Sequence, residues 1–221
     1  MEEWNTYAFG PANGAKPEKA VLMLHGYGSN GQDLISLAPM LAEAAPNAIF
    51  LSPDAPFVCD MSAPGNLGGR QWFPLQSFDP GYMLEGIRRS EPILNHYIDQ
   101  VLQQLELEDA DLALLGFSQG TMMSLFAAPR RKKPIAGVIG YSGALLGDAE
   151  LGGAAIQKVP VVLIHGEDDQ VVTFDRHEHA KNALKTHGFD VETLTIPGLP
   201  HSIDDAGIKT GAAFLKRVFA R

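Results

Sequence analysis

The chain of 221 residues is long enough to bury a sizeable core, and 45% hydrophobic and 19% charged residues are ordinary for a globular protein. Its 17 basic and 26 acidic residues give a formal net charge of −9, which argues against nucleic acid as a partner. A single cysteine, Cys59, excludes an internal disulfide. Neither a signal peptide nor an apolar run of the roughly 20 residues that a membrane helix needs is visible. We therefore expect a soluble, cytoplasmic protein with no integral membrane association.

Short apolar runs along the chain predict β-strands, and most of these runs are continuous rather than alternating. That pattern is typical of strands buried on both faces of a parallel sheet. The predicted strands cover residues 4–9, 20–24, 48–51, 112–116, 135–141, 159–165 and 190–196.

Apolar residues at helical spacing predict helices between these strands, over residues 34–45, 93–105, 122–128, 180–187 and 208–219. Ser90 is predicted to cap the second helix, with Pro92 in its first turn. The alternation favours an α/β fold with a mostly parallel central sheet of about seven strands and helices on both faces. We expect a single domain over residues 1–221, with an irregular, lid-like segment at about 57–81.

The sequence Gly116-Phe117-Ser118-Gln119-Gly120 lies between a predicted strand and a predicted helix. A serine at a sharp strand-to-helix turn needs small neighbours, because a Cβ at either flank would collide with the turn. Such a turn would lift the hydroxyl of Ser118 above the edge of the sheet. The motif alone also fits a glycine-rich turn that happens to hold a serine, but its context favours a nucleophile.

A serine hydroxyl is a weak nucleophile until a base takes its proton, and histidine suits that task near neutral pH. His201 follows the last predicted strand in a loop rich in proline and glycine, so we select it as the base. The other histidines fall in predicted helices or directly precede glycines at strand ends, where they would support loops through hydrogen bonds. Those in helices are His96 and, on a predicted surface helix, His177, His179 and His187; those before glycines are His25 and His165.

The histidine in turn needs a carboxylate that fixes its tautomer and stabilises the imidazolium. Three adjacent acids, Glu167, Asp168 and Asp169, follow the preceding strand, and spacing alone does not separate the two aspartates. Serine, acid and histidine thus occur in the chain order of an α/β-hydrolase. A metal site of His165 with these carboxylates lacks further ligands at supporting spacing, so we expect neither a metal nor a cofactor.

Two backbone amides must also face the oxyanion that develops during acyl transfer. The amide of Gln119, directly after the candidate nucleophile, is one donor. The loop after the first buried strand should supply the other, and Tyr27, between Gly26 and Gly28, is the preferred residue.

Taken together, these stretches resemble the phospholipase/carboxylesterase family, which includes acyl-protein thioesterases and small bacterial carboxylesterases. The resemblance spreads over nearly the whole chain, in the family's order. The matching stretches are LHGYG at 24–28, PDAP at 53–56, WF at 72–73, GFSQG at 116–120, YSG at 141–143, HGEDD at 165–169 and HS at 201–202.

The resemblance implies an α/β-hydrolase fold and selects the second aspartate, Asp169, as the acid. It implies that Tyr27 and Gln119 occupy the oxyanion-hole positions and that Trp72 and Phe73 line the substrate pocket.

The sequence departs from the family at two positions, where Ser29 and Pro74 replace aspartates that many members carry. Both lie outside the catalytic residues, so they bear on substrate choice rather than on catalysis.

We therefore expect a serine carboxylesterase that hydrolyses short- to medium-chain acyl esters through an acyl-enzyme on Ser118, with Asp169 and His201 completing the triad. Its substrate would be a small-molecule or lipid-like ester, and a homodimer is left open. An acyl-protein thioesterase or lysophospholipase with the same triad is one alternative. A non-catalytic ligand-binding protein on the same fold is the other.

Overall fold

The computed structural model describes residues 4–12, 14–60 and 69–220. Its centre is a seven-stranded sheet whose spatial order is β1-β3-β2-β6-β7-β8-β9, and only β1 runs antiparallel to its neighbour. This confirms the mostly parallel sheet expected from the sequence. The strands of this sheet are β1 Thr6–Phe9, β2 Lys19–Leu24, β3 Ala48–Pro53, β6 Leu112–Phe117, β7 Gly137–Tyr141, β8 Val161–Gly166 and β9 Val191–Ile196. Two short strands, β4 Phe57–Val58 and β5 Arg70–Gln71, form a separate antiparallel ribbon.

Helices cover both faces of the sheet, as the continuous apolar strands require. One face packs against α3 Pro80–Leu105, α4 Gln119–Ala127 and α5 Phe174–Thr186. The other packs against α1 Gly31–Ile35, α2 Ala38–Ala42 and α6 Asp205–Phe219. Successive residues of a strand alternate between the two cores, as Leu114 and Leu115 of β6 do.

The structure corrects the start of the predicted second helix. That helix, α3, begins at Pro80, and the side chain of Asp79 caps it by accepting the amide of Tyr82 at 2.9 Å. Ser90 lies inside the helix instead of capping it, and its hydroxyl donates to the carbonyl of Trp72 at 2.6 Å. Pro92 is likewise internal.

The first predicted helix is divided into α1 and α2. Pro39 lies in the first turn of α2, where the missing amide proton is tolerated, whereas in one continuous helix it would interrupt the hydrogen-bond ladder.

The segment at 57–81 was expected to be irregular and lid-like, and its residues 61–68 lie outside the described residues. The described remainder contains the β4–β5 ribbon and ends in the first turn of α3. In the described parts of the chain, no helix combines the length and the apolar character needed to cross a membrane.

We call the turn at Ser118, between β6 and α4, the elbow. The tightest backbone contact behind it joins α4 to β2. A Cβ added at Gly120 would lie 1.8 Å from the carbonyl oxygen of Leu24, and one added at Gly116 would lie 2.4 Å from the backbone of Gly120. Both glycines of the motif are therefore required by close backbone approach, and α4 can begin directly against the end of β2.

We predict that Gly120→Ala lowers the free energy of unfolding by about 3 kcal/mol or more, because backbone rather than a flexible side chain must move. Chemical denaturation measures the change. Gly153→Ala is the matched control, since its Cβ would have ordinary contacts at 3.5 and 3.6 Å, and we expect a change within about 0.5 kcal/mol. Equal effects of the two substitutions would contradict the packing argument.

Candidate active site

Ser118 occupies a sharp turn between β6 and α4. Its backbone has φ 54° and ψ −115°, a region that residues other than glycine rarely adopt and that costs about 1–3 kcal/mol. The turn is held on both sides, because the amide of Ser118 donates to the carbonyl of Tyr141 at 2.9 Å and its carbonyl accepts the amide of Met122 at 3.2 Å. The strained serine is thus anchored between the neighbouring strand β7 and the first turn of the helix.

Asp169 and His201 are brought together by the loops that follow β8 and β9. His201 Nδ1 lies 2.7 Å from Asp169 Oδ2, and the imidazole also packs on the Phe117 ring with centroids 4.8 Å apart. With Nδ1 bound to the carboxylate, Nε2 is the ring nitrogen left to exchange a proton with a substrate or nucleophile.

The carboxylate of Asp169 is buried and fully engaged. Its Oδ1 accepts the amides of Val171 and Val172, each at 2.9 Å. Asp168 and Glu167, by contrast, are exposed. The tertiary structure therefore separates the two aspartates that spacing alone left open.

The loop of residues 25–29, which we call the oxyanion loop after the role predicted for Tyr27, lies directly beside the elbow. A Cβ at Gly26 would lie 3.4 Å from the Cβ of Ser118, so the backbone before Tyr27 passes close to the candidate nucleophile. Gly28 has φ +77°, which turns the chain back after Tyr27. Gln119 begins α4, and its amide is one of the donors that a helix leaves without an intrahelical acceptor.

A cavity of about 570 Å³ opens over Ser118 and is also lined by Tyr27, Gln119 and His201. That volume is within the range of about 300–1,000 Å³ found for small-molecule sites. Most of the remaining lining is apolar and comes from several elements, including Leu75, Phe78, Met83, Met122, Leu145, Leu146, Val171 and Val172.

Trp72 and Phe73 were expected to line this pocket, but the described cavity lining does not include them. Both are buried in the core, with 1% and 0% of their surface exposed. The indole Nε1 of Trp72 donates to the carbonyl of His25 at 2.9 Å, so the ring packs behind the oxyanion loop rather than facing the cavity. The residues that the sequence did not single out, Leu75 and Phe78, provide the wall instead.

His25 and His165 support loops, as their positions at strand ends predicted. His25 Nε2 accepts the amide of Ala55 at 3.0 Å, and His165 Nε2 donates to the carbonyl of Val172 at 2.8 Å. Burial lowers the pKa of both imidazoles, which keeps them neutral. His165 Nε2 also lies 3.3 Å from Asp169 Oδ2, directly behind the acid.

His177 was predicted on a surface helix, and the structure corrects this. It lies on the buried face of α5 with 2% of its surface exposed, stacked on Phe174 and with its ring centroid 5.3 Å from that of His165. Its Nε2 has no hydrogen-bond partner among the described residues. Burial, with a smaller effect of His165, lowers the pKa of His177 to about 4.

A nucleophile on the turn after a central parallel strand, with an acid and a histidine after later strands, is the arrangement of an α/β-hydrolase. Solved structures share this fold, and two of them illustrate the similarity. Esterase PE8 superposes with a TM-score of 0.90 at 34% identity, over 98% of this chain and 99% of that one. Arabidopsis thaliana SOBER1 does so with a TM-score of 0.79 at 25% identity, over 91% and 99%.

Sequence comparison gives the family. The Phospholipase/Carboxylesterase family model matches residues 7–219, and the chain belongs to that family. It is 28% identical over 213 residues to acyl-protein thioesterase 1 of Gibberella zeae, covering 89% of each chain. It is also 28% identical to the Escherichia coli esterase YpfH, over 88% of this chain and 81% of that one. The protein is thus a serine hydrolase of the carboxylesterase and thioesterase type.

We predict that buried His177 makes the protein less stable as the pH falls. Its folded-state pKa of about 4 is below the ordinary value of 6.5, so the unfolded chain binds the proton first. Between pH 7 and pH 5 the free energy of unfolding of the wild type should fall by about 2 kcal/mol more than that of His177→Phe, which keeps the aromatic stack.

Urea denaturation at pH 7, 6 and 5 measures this difference. His179→Phe is the matched control, because it removes an imidazole that is half exposed on the same helix. If His177→Phe and His179→Phe follow the same pH dependence, the buried ring is not its source.

Proposed function

We propose that this protein is a carboxylesterase that hydrolyses short- to medium-chain acyl esters through an acyl-enzyme on Ser118. The observation that carries the proposal is that Ser118 and His201 line one largely apolar cavity, with His201 bound to buried Asp169. Membership of the family supports the reaction class, and the geometry of the site supports the role that we assign to each residue.

The reaction proceeds in two halves. His201 Nε2 takes the proton of the Ser118 hydroxyl while Oγ attacks the acyl carbon, and the resulting oxyanion accepts hydrogen bonds from the amides of Tyr27 and Gln119. The imidazolium then returns the proton to the leaving alcohol. Water, deprotonated by the same histidine, then attacks the acyl-enzyme. The imidazolium gives this proton to Ser118 Oγ as the bond between Oγ and the acyl carbon breaks, which releases the acid and restores Ser118.

Asp169 acts through His201. Its Oδ2 accepts a hydrogen bond from Nδ1–H at 2.7 Å, which selects the tautomer with an unprotonated Nε2 and stabilises the imidazolium when it forms. Because Oδ1 is held by the amides of Val171 and Val172, the carboxylate reaches His201 in one fixed orientation.

We expect Ser118→Ala to lower kcat for an activated butyrate ester by at least roughly a thousandfold and to abolish labelling by a fluorophosphonate. Asp169→Asn should lower kcat by about 10⁴-fold, since the amide favours the wrong histidine tautomer. Asp168→Asn is the matched control, because its exposed side chain does not line the described cavity, and we expect activity within about twofold of the wild type.

Turnover by Ser118→Ala near the wild-type rate would exclude the acyl-enzyme. A wild-type protein that neither turns over esters nor reacts with the fluorophosphonate would instead be a non-catalytic binding protein on this fold.

An acyl-protein thioesterase is the second candidate, because acyl-protein thioesterase 1 of Gibberella zeae aligns over 89% of this chain. The same residues would serve, since a thioester passes through the same tetrahedral oxyanion. The two candidates differ in the leaving group and in the acyl chain that the cavity accepts.

We predict that kcat/KM for activated esters rises from acetate to about hexanoate by up to roughly fourfold for each methylene, because each buried CH₂ contributes about 0.8 kcal/mol. The rise should stop once the acyl chain extends beyond the apolar wall of the cavity. Steady-state rates on a series of esters, with matched thioesters of the same acyl chains, measure both preferences. A series in which acetate is the best substrate would contradict an acyl-binding role of the apolar wall, and higher kcat/KM for every thioester would favour the second candidate.

A further inference from the structure

The segment of residues 70–73 runs between the oxyanion loop and the start of α4, and it is hydrogen-bonded to both. The carbonyl of Arg70 accepts the amide of Gly28 at 2.9 Å, and the amide of Arg70 donates to the carbonyl of Ser29 at 2.8 Å. The indole of Trp72 donates to the carbonyl of His25 at 2.9 Å. The segment therefore holds the oxyanion loop on both sides of Tyr27.

The side chain of Gln119 ties the same segment to α4. Its Oε1 accepts the amide of Trp72 at 2.8 Å, and its Nε2 donates to the carbonyl of Phe73 at 2.7 Å. Gln119 is 1% exposed, and rotating its amide by 180° would place the NH₂ group against an N–H and the oxygen against a carbonyl. In a buried site such a mismatch costs about 1–3 kcal/mol for each unsatisfied group, so the amide has one orientation.

Trp72 is hydrogen-bonded both to the oxyanion loop and to α4. Its amide is held by Gln119, its carbonyl accepts the hydroxyl of Ser90 at 2.6 Å, and its indole is held by His25. The ring cannot shift towards the cavity without breaking the bond to the oxyanion loop. It cannot shift away from α4 without breaking the bond to Gln119.

We propose that Trp72 and the side chain of Gln119 are positioning residues that set the distance between the two oxyanion donors, the amides of Tyr27 and Gln119. The two donors come from different elements, β2–α1 and α4, so their separation is not fixed by a single piece of secondary structure. The 70–73 segment couples them. Gln119 carries the side chain that bonds the segment, and Tyr27 lies between residues of the oxyanion loop that the segment binds. This inference rests on the proposed function, because it assigns these amides to the oxyanion.

The physical consequence is confined to the transition state. A substrate carbonyl tolerates loosely placed donors, whereas the oxyanion gains most from donors about 2.7–3.1 Å away. Loss of the coupling should therefore lower kcat while leaving KM nearly unchanged, since ground-state binding depends on the apolar wall of the cavity. A role in core stability alone would reduce the folded fraction but would leave kcat per folded molecule intact.

Two substitutions break the coupling at different points. Gln119→Met keeps the backbone donor and a similar side-chain volume but removes both side-chain bonds. Trp72→Phe keeps an aromatic ring in the core, removes the indole bond to His25 as its one lost hydrogen bond, and gives up part of the ring packing. For each we expect kcat on a butyrate ester to fall by about 10–100-fold, with KM within about twofold of the wild type.

A boronic acid inhibitor supplies a readout that a structural role does not move. It adds to Ser118 as a tetrahedral species with an oxygen in the oxyanion position, so its affinity should fall in both variants by about the same factor as kcat/KM. Tyr97→Phe is the matched control, because it removes a buried hydroxyl whose partner is Thr6, at 2.8 Å and outside the site, and its kcat and boronic acid affinity should stay within about twofold of the wild type.

Wild-type-like kcat/KM and boronic acid affinity in folded Gln119→Met and Trp72→Phe would overturn the positioning role while leaving the proposed function intact. If Gln119→Met does not fold, Trp72→Phe decides the question, since it loses a single hydrogen bond. Failure of the proposed function itself is distinguishable, because it would show as an inactive wild type or an active Ser118→Ala.

Discussion

The approach of α4 to the end of β2 is the constraint on which the rest of the site depends. Gly120 lies so close to the carbonyl of Leu24 that any side chain at this position would overlap the strand backbone. This contact lets the helix begin immediately after β6, which forces Ser118 into a positive φ. It also places the amide of Gln119 beside the oxyanion loop that continues from β2. The strain at Ser118, about 1–3 kcal/mol, is offset by the packing of α4 on three strands.

Around this contact two buried polar side chains, those of Asp169 and Gln119, are held by hydrogen bonds at both ends. One carboxylate oxygen of Asp169 accepts two backbone amides, and the other is bonded to His201. The side-chain amide of Gln119 is hydrogen-bonded through both its oxygen and its nitrogen. In a buried environment each of these bonds is stronger than in water, and each would be costly to break. These two side chains are therefore held in one orientation before a substrate enters, which suits the oxyanion stabilisation that we propose.

The groups assigned to the chemistry and the groups that shape the pocket come from different parts of the chain. The former follow the ends of β2, β6, β8 and β9, whereas much of the apolar wall comes from the region of Leu75, Phe78 and Met83 before and within α3. A change in that region can alter the substrate without disturbing the elbow.

The sequence by itself determined the sheet, the order of its elements and the elbow, because continuous apolar runs and the pair Gly116 and Gly120 are local signals. It placed His201 at a strand end by the same reasoning. Local pattern could not show which side chains face inward from irregular segments. Spacing left Asp168 and Asp169 open and the family resemblance selected Asp169, but only the tertiary structure showed that Asp169 is buried and Asp168 exposed. It also showed that Trp72 lies in the core rather than in the pocket, and that His177 is buried on a helix whose sequence is mostly polar. The physical reason is that the neighbours that bury these side chains, and their hydrogen-bond partners, are distant in sequence. Trp72, for example, is bonded to His25 and Gln119, and no spacing pattern in the sequence predicts such long-range contacts.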